Sequence, residues 1–286
     1  MKKLLTLLTT LVLTCALCCG IAMADDPATV IVTIADQNGN LVLASEKIEV
    51  KDIDNDGELT VNDALYCAHE AKFSGGAAAG YLSEMGDYSL SLKKLWGFDN
   101  GTGYGYYVDN GAAMSLADKV KDGDTVNAFI YTDTTAWSDT YCYFDAYEIE
   151  TPAGTNIPFA LTAVGFDESY NTVLKPVEGA TILVDGKAVD AKTDKDGKVT
   201  ILFDTEGTFI LSAKSDSQTL VPPCCRVIVK KAEKTSDGKD DKDGKTDGGS
   251  KEDTPKTADT MMVALFAVIA VASLGVVVAS KKANRA

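Results

Sequence analysis

The chain has 286 residues, a formal net charge of −15 and a single histidine. An acidic surface of this kind repels nucleic acid and anionic lipid headgroups, which excludes a function built on phosphate contacts. With one histidine, no Gly-x-Ser-x-Gly elbow and no phosphate loop, the common nucleophile–base and nucleotide chemistries lack their residues, and the chain reads as a non-enzyme.

Met1, Lys2 and Lys3 open the chain with positive charge, and the run to Met23 is apolar and small. Ala22-Met23-Ala24 then supplies a small-x-small cleavage pattern. This is the layout of a secretory signal peptide over residues 1–24, the alternative being an uncleaved N-terminal membrane helix. Cleavage leaves Cys67, Cys142, Cys224 and Cys225 in an oxidising compartment. Cys67 and Cys142 fall in one predicted domain and could pair. Cys224 and Cys225 are neighbours, so on a strand they face opposite sides.

Residues 25–150 read as a head domain. Thr29–Ile34 and Leu41–Leu43 flank Asn38-Gly39, a hairpin cue. Thr60 is a good N-cap for a helix with Val61, Ala64, Leu65 and Ala68 on one face, and Asp63 suits its first turn. Gly75-Gly76 ends that helix. Strands are predicted at Gly103–Val108 and Thr125–Tyr131. The order strand, strand, helix, strand, strand predicts an α+β sheet of the β-grasp kind with one packed helix.

Asp52, Asp54 and Asp56 stand two apart, Gly57 follows, Glu58 takes position 7 and Asp63 position 12. That spacing lets a tight loop fold oxygens around one hard cation, with position 7 giving a main-chain carbonyl and position 12 closing the shell. Calcium is the expected ion, in a structural role. The competing reading is a solvated acidic turn ahead of a capped helix. The loop resembles EF-hand and dockerin loops, the latter through Asp63 and the Gly-x-Leu-Thr-x-x-Asp stretch. Only one such loop is present, so cohesin binding is not implied.

Twelve of the 22 aromatic residues lie between Trp96 and Tyr147. A β core accounts for many of them. Tyr104, Tyr106, Tyr107, Trp137, Tyr141 and Tyr143 carry polar tips that need partners when buried, so a subset of one strand parity is expected on an exposed ligand face. His69, alone on the helix, is expected at the surface or partly buried.

Thr60-Val-x-Asp63-Ala-Leu65, Gly105–Val108 and Lys121-Asp-Gly-Asp124-x-Val126 together resemble the transcobalamin C-terminal-like domains of bacterial surface proteins. The resemblance implies a β-grasp-like module and, through animal relatives, a corrinoid as one possible ligand. Residues 73–96 form an insertion relative to that pattern.

Residues 151–229 read as an all-β sandwich, with strands at Ala180–Val184, Lys198–Phe203 and Thr208–Ala213 separated by Asp-Gly and Glu-Gly turns. The stretch Val177–Thr200 resembles the Ig-like or prealbumin-like repeats of bacterial surface proteins, which implies a stalk. Asp194 and Asp196 sit in a turn.

Residues 230–253 are, but for Ala232, all Lys, Asp, Glu, Gly, Ser and Thr without aromatics, a spacer unable to bury a core. Thr254-Pro255-Lys256-Thr257-Ala258-Asp259 precedes an apolar run over 261–280, long enough to cross a hydrocarbon core of about 30 Å. Lys281, Lys282 and Arg285 close the chain on the side where basic residues collect. Motif, helix and basic tail over 254–286 resemble the sorting signal of Gram-positive cell-wall-anchored proteins. The resemblance implies that sortase cuts between Thr257 and Ala258 and joins Thr257 to the wall; Thr254 and Ala258 stand where that family usually has Leu and Gly. A plain single-pass membrane anchor is the alternative. Losing the leader and residues 258–286 takes the net charge from −15 to −19, since five bases and one acid leave with them.

The sequence thus predicts a non-catalytic surface binding or adhesion protein, with a small-ligand receptor as the second reading. Its partners would be sortase during anchoring and an extracellular protein, glycan or corrinoid.

Overall fold

The computed structural model describes residues 28–101 and 103–232. The expected signal peptide, nearly all of the charged spacer, the sorting motif (Pro255, Lys256, Thr257, Ala258) and the apolar run 261–280 lie outside the described residues. Among the described residues no helix is long and apolar enough to cross a membrane.

The chain opens with β1 (Ala28–Ala35) and β2 (Leu41–Val50), an antiparallel hairpin. Its turn is built by Asp36, whose carboxylate accepts the N–H groups of Asn38 and Asn40, while Gly39 takes φ 71°. The helix α1 (Val61–Lys72) starts at Thr60 and buries Val61, Ala64, Leu65 and Ala68. It stops at Lys72, short of Gly75-Gly76, because Phe73 turns extended. The residues of the insertion are ordered as α2 (Gly76–Gly80), β3 (Leu82–Met85) and β4 (Leu90–Leu95), and β4 pairs onward with β5 (Phe98–Asp99). Then come β6 (Tyr104–Val108), β7 (Gly111–Ala112) and β8 (Thr125–Ile130). The resulting five-stranded sheet has the order β2-β1-β8-β6-β7, with β1 and β8 parallel.

This sheet is covered on both faces. Val30, Val32, Ile34, Val126, Ala128 and Ile130 pack with α1 in one core. Ala35 and Phe129, of opposite strand parity, pack on the other side with Tyr141, Val164 and Val221. Double coverage explains why β8 is buried along nearly its whole length rather than on alternate residues.

The rest of the described chain is all β: β9 (Cys142–Phe144), β10 (Glu148–Pro152), β11 (Thr155–Phe166), β12 (Thr172–Pro176), β13 (Thr181–Val184), β14 (Lys187–Lys192), β15 (Lys198–Phe203), β16 (Gly207–Lys214) and β17 (Cys225–Lys230). One sheet has the order β10-β17-β16-β13-β14; the other is β12-β11-β15, with β9 also on β11. Phe144, Phe159, Ile182, Leu211 and Val227 fill the core between them. Asp185 and Gly186, both at positive φ, make the tight turn from β13 to β14.

The expected division at residue 151 is corrected by the strand pairing. β9 precedes that point and β10 runs through it, yet they pair with β11 and β17. The sheets therefore part in the 131–141 segment. Of the sequence cue Thr151-Pro152-Ala153-Gly154, the first two residues end β10 and Ala153-Gly154 make the turn into β11.

Candidate functional site

The acidic loop lies between the end of β2 and the start of α1. Asp52 organises it: its carboxylate accepts the N–H groups of Asn55 at 2.6 Å, Asp56 at 3.3 Å and Gly57 at 2.9 Å. The chain can turn this sharply because Asn55 and Gly57 take φ 61° and 89°. Those main-chain donors, Gly57 first, hold the Asp52 carboxyl below the usual range.

Asp63, only 1 % exposed, ties the loop to the helix. Its Oδ1 accepts the Ile53 N–H at 3.1 Å, and its Oδ2 accepts the Thr60 N–H at 2.8 Å and hydroxyl at 2.6 Å. Thr60 accepts the Asp63 N–H in return, which completes a capping box.

Of the five acids expected at a metal, the fold gathers three. Oxygens of Asp52, Asp54 and Asp63 lie within 4.8 Å of one another. Asp56 turns its carboxylate to the Glu58 N–H, and Glu58 pairs with Lys119 at 2.7 Å. Glu58 therefore has only its carbonyl to offer, as position 7 of such a loop requires. The Asp54 carboxyl is pushed up by its surroundings, then by the charges of Asp56 and Asp63. Carboxylates crowded this closely repel one another, and a hard divalent cation would relieve that repulsion. Each Asp63 oxygen keeps lone-pair capacity beyond the bonds it accepts. The donor set fits calcium in its oxygen chemistry, at positions 1, 3 and 12.

Of the six aromatic residues from which an exposed subset is expected, Tyr104 and Tyr141 are buried, Tyr106, Tyr107 and Tyr143 are half-buried, and Trp137 is exposed. Tyr104 is buried and its hydroxyl donates to the Lys93 carbonyl at 2.7 Å. Tyr106 packs against the first core, and Tyr107 and Tyr143 pack against the Phe129–Tyr141 cluster. Tyr141 is buried, stacks on Tyr107 with ring centroids 3.7 Å apart, and donates its hydroxyl to Asn110 at 2.9 Å. Only Trp137 stands out, 46 % exposed on the 131–141 segment. The correction has a physical cause: the hydroxyls of Tyr104 and Tyr141 found partners inside the protein, and the sheet they line is covered twice.

His69 is also a correction, being 0 % exposed. Its Nδ1–H donates to the Leu65 carbonyl at 2.6 Å, and its Nε2 accepts the Trp96 N–H at 2.9 Å. Phe73, Tyr81 and Trp96 surround the ring. With both nitrogens engaged it is a structural clasp between α1 and the turn after β4. Burial lowers its pKa to about 4.

The four cysteines among the described residues are free thiols. Cys67 packs at the edge of the head core and Cys142 inside the sandwich core, so the Cys67–Cys142 pairing that one shared domain would allow does not form. Cys225 faces the sandwich core, whereas the Cys224 thiol lies 3.1 Å from the Ser45 hydroxyl on β2, on the opposite side of the strand.

No family model matches the chain, and no curated protein does. Among solved structures, the N-terminal four Ig domains of Dscam1 isoform 4.44 are 12 % identical over 52 % of this chain, with a TM-score of 0.22. Those of isoform 9.44 are 9 % identical over 73 %, again at 0.22. The chain spans less than half of either, 36 % and 45 %. At that TM-score the likeness carries no argument about fold or function.

Proposed function

We propose that the chain is an exported, non-catalytic binding protein held at the outside of a Gram-positive cell by its C-terminus. In this reading a β-grasp-like head and an Ig-like sandwich are displayed on the charged spacer 230–253. The observation that carries it is the pair of end signals: a leader over 1–24, and a motif, apolar run and basic tail over 254–286. The described structure supports display as a unit, because the head sheet and the sandwich share the Phe129–Tyr141 cluster. A membrane-impermeant amine label applied to intact producing cells tests the claim. Labelling of the chain on whole cells is expected; labelling only after lysis would contradict it.

The loop at residues 52–63 is proposed to hold one calcium ion through Asp52, Asp54, Asp63 and the Glu58 carbonyl. Bound there, the ion supplies positive charge that ties the end of β2 to the start of α1. Asp52 keeps its role as the loop's main-chain acceptor with or without it.

A further inference from the structure

Among the described strands, the β1–β8 and β10–β17 ladders are parallel and all the others are antiparallel. Parallel pairing is slightly the less stable of the two per residue, so stability alone gives no reason for it. The places of these strands in the chain do. β1 is the first described strand of the head, and β8 is the strand by which the chain leaves the head for the sandwich. β10 stands at the entry of the sandwich, preceded there only by the three-residue β9, and β17 is its last strand. In each half an entering strand and a leaving strand therefore lie side by side.

The direction of pairing decides what tension does to such a pair. In an antiparallel pair the entering and leaving ends lie together, and pulling them apart opens the ladder one rung at a time. In a parallel pair those ends lie at opposite ends of the ladder. Tension then slides one strand along the other, and the evenly spaced rungs are strained together. In the head the rungs join Ile31–Ala35 to Thr125–Phe129, begun by the Ile31 N–H, which donates to the Asp124 carbonyl at 2.9 Å. In the sandwich they join Glu148–Pro152 to Arg226–Lys230. That ladder is extended at both ends: the Arg226 N–H donates to the Tyr147 carbonyl and the Ala153 N–H to the Lys230 carbonyl, each at 2.8 Å. β1 lies between β2 and β8, and β17 between β10 and β16, so neither can slide without breaking a second ladder. Val30, Val32 and Ile34 of β1, and Val227 and Val229 of β17, are fixed in the two cores. β9 is held to β11 by three residue pairs, so once these yield the load passes to β10.

We propose that the two parallel ladders are a load-bearing device, which meets tension between the ends of the chain in shear and keeps both halves folded under it. The proposal deepens the surface-anchored reading and rests on it, because an anchored C-terminus is what puts tension on Lys230. An optical trap tests it on the full chain in detergent. One preparation carries handles at its two ends, the other at its C-terminus and at position 206. Glu206 is exposed and precedes Gly207, which pairs with Val229 across the antiparallel β16–β17 ladder. The second pair of handles therefore opens β17 rung by rung from its C-terminal end. Released chain length identifies each rupture. Pulled by its ends, the head and the sandwich should each yield at a higher force than β17 does in the second geometry. At one constant force each should outlast it about tenfold or more, the weight of one or two further hydrogen bonds in the barrier. Rupture of either half at the same force or below overturns the proposal. That result would leave anchoring standing, since the trap supplies both handles; failure of the anchoring reading shows instead in the surface labelling of intact cells.

Discussion

The Arg226 guanidinium on β17 donates from Nε to the carbonyl of Ser45 on β2 at 3.2 Å, across a sequence separation of 181 residues. Its Nη2 donates to the Ala44 carbonyl at 2.7 Å and pairs with Glu46, which also holds Lys72. Ser45 can present its carbonyl because it takes φ 47° at a bulge in β2, where its N–H donates to the Thr33 hydroxyl. A left-handed serine is unfavourable, and its persistence here marks a place where the surrounding contacts over-determine the backbone.

Replacing Arg226 with Ala should therefore destabilise the two halves together. It strands two half-buried carbonyls, and the expected loss is about 2 kcal/mol. Arg226→Lys should restore only part, because an ammonium lacks the fork that reaches both carbonyls. Denaturant midpoints of the three proteins check this; identical midpoints would show the joint to be unimportant.

His69 sets a pH dependence whose sign is fixed by geometry. The folded protein holds the ring neutral, with a pKa of about 4 against 6.5 in an unfolded chain. Between those values the unfolded state binds the extra proton, so stability is full above pH 6.5 and falls as pH drops towards 4. The group's contribution to that loss is about 3 kcal/mol. Melting of wild type and His69→Leu from pH 7 to pH 4 reads it out. The variant should start lower, with the Trp96 N–H unpartnered, and decline less steeply. Parallel slopes would mean that His69 does not titrate with folding.

Thiol chemistry gives a third check. Burial pushes up the thiol pKa values of Cys142 and Cys225, and that of Cys224 to about 11. Of the four cysteines among the described residues, only Cys67 is partly exposed. The leaderless native protein should release at most one thiol to a disulfide reagent, slowly, and four after denaturation without reductant. Fewer than four would reveal a bridge.

Calcium should raise the melting temperature by mass action, with about 2.7 kcal/mol gained at 100 times Kd. Asp54→Asn and Asp52→Ala separate ligand from scaffold. Asp54→Asn removes a crowded charge and should leave the calcium-free protein at least as stable, while abolishing the gain. Asp52→Ala also strands the N–H groups of Asn55 and Gly57, so it should weaken the loop even in chelator. An unchanged calcium response in Asp54→Asn would refute the site.

The sequence made much of this visible. Thr60 and its apolar face located α1, Asn38-Gly39 located the first hairpin, and the Asp52–Asp63 spacing located the carboxylate cluster. What stayed hidden depends on long-range pairing. Nothing local to Cys142–Phe144 says that it joins β11 rather than the head sheet. Nothing local to Tyr107 or Tyr141 says that a second layer covers them. Tyrosine reads the same at a joint as on a ligand face, because both offer apolar area with a polar tip.

Covalent attachment at the cell surface through Thr257 is the central claim, and the mass of the C-terminal peptide after digestion of the producing cells' wall tests it most directly. The account predicts that the last chain residue is Thr257, bonded through its carbonyl to a wall fragment, with residues 258–286 gone. A detergent-extracted protein that still carries residues 258–286 and no wall fragment would contradict attachment through Thr257.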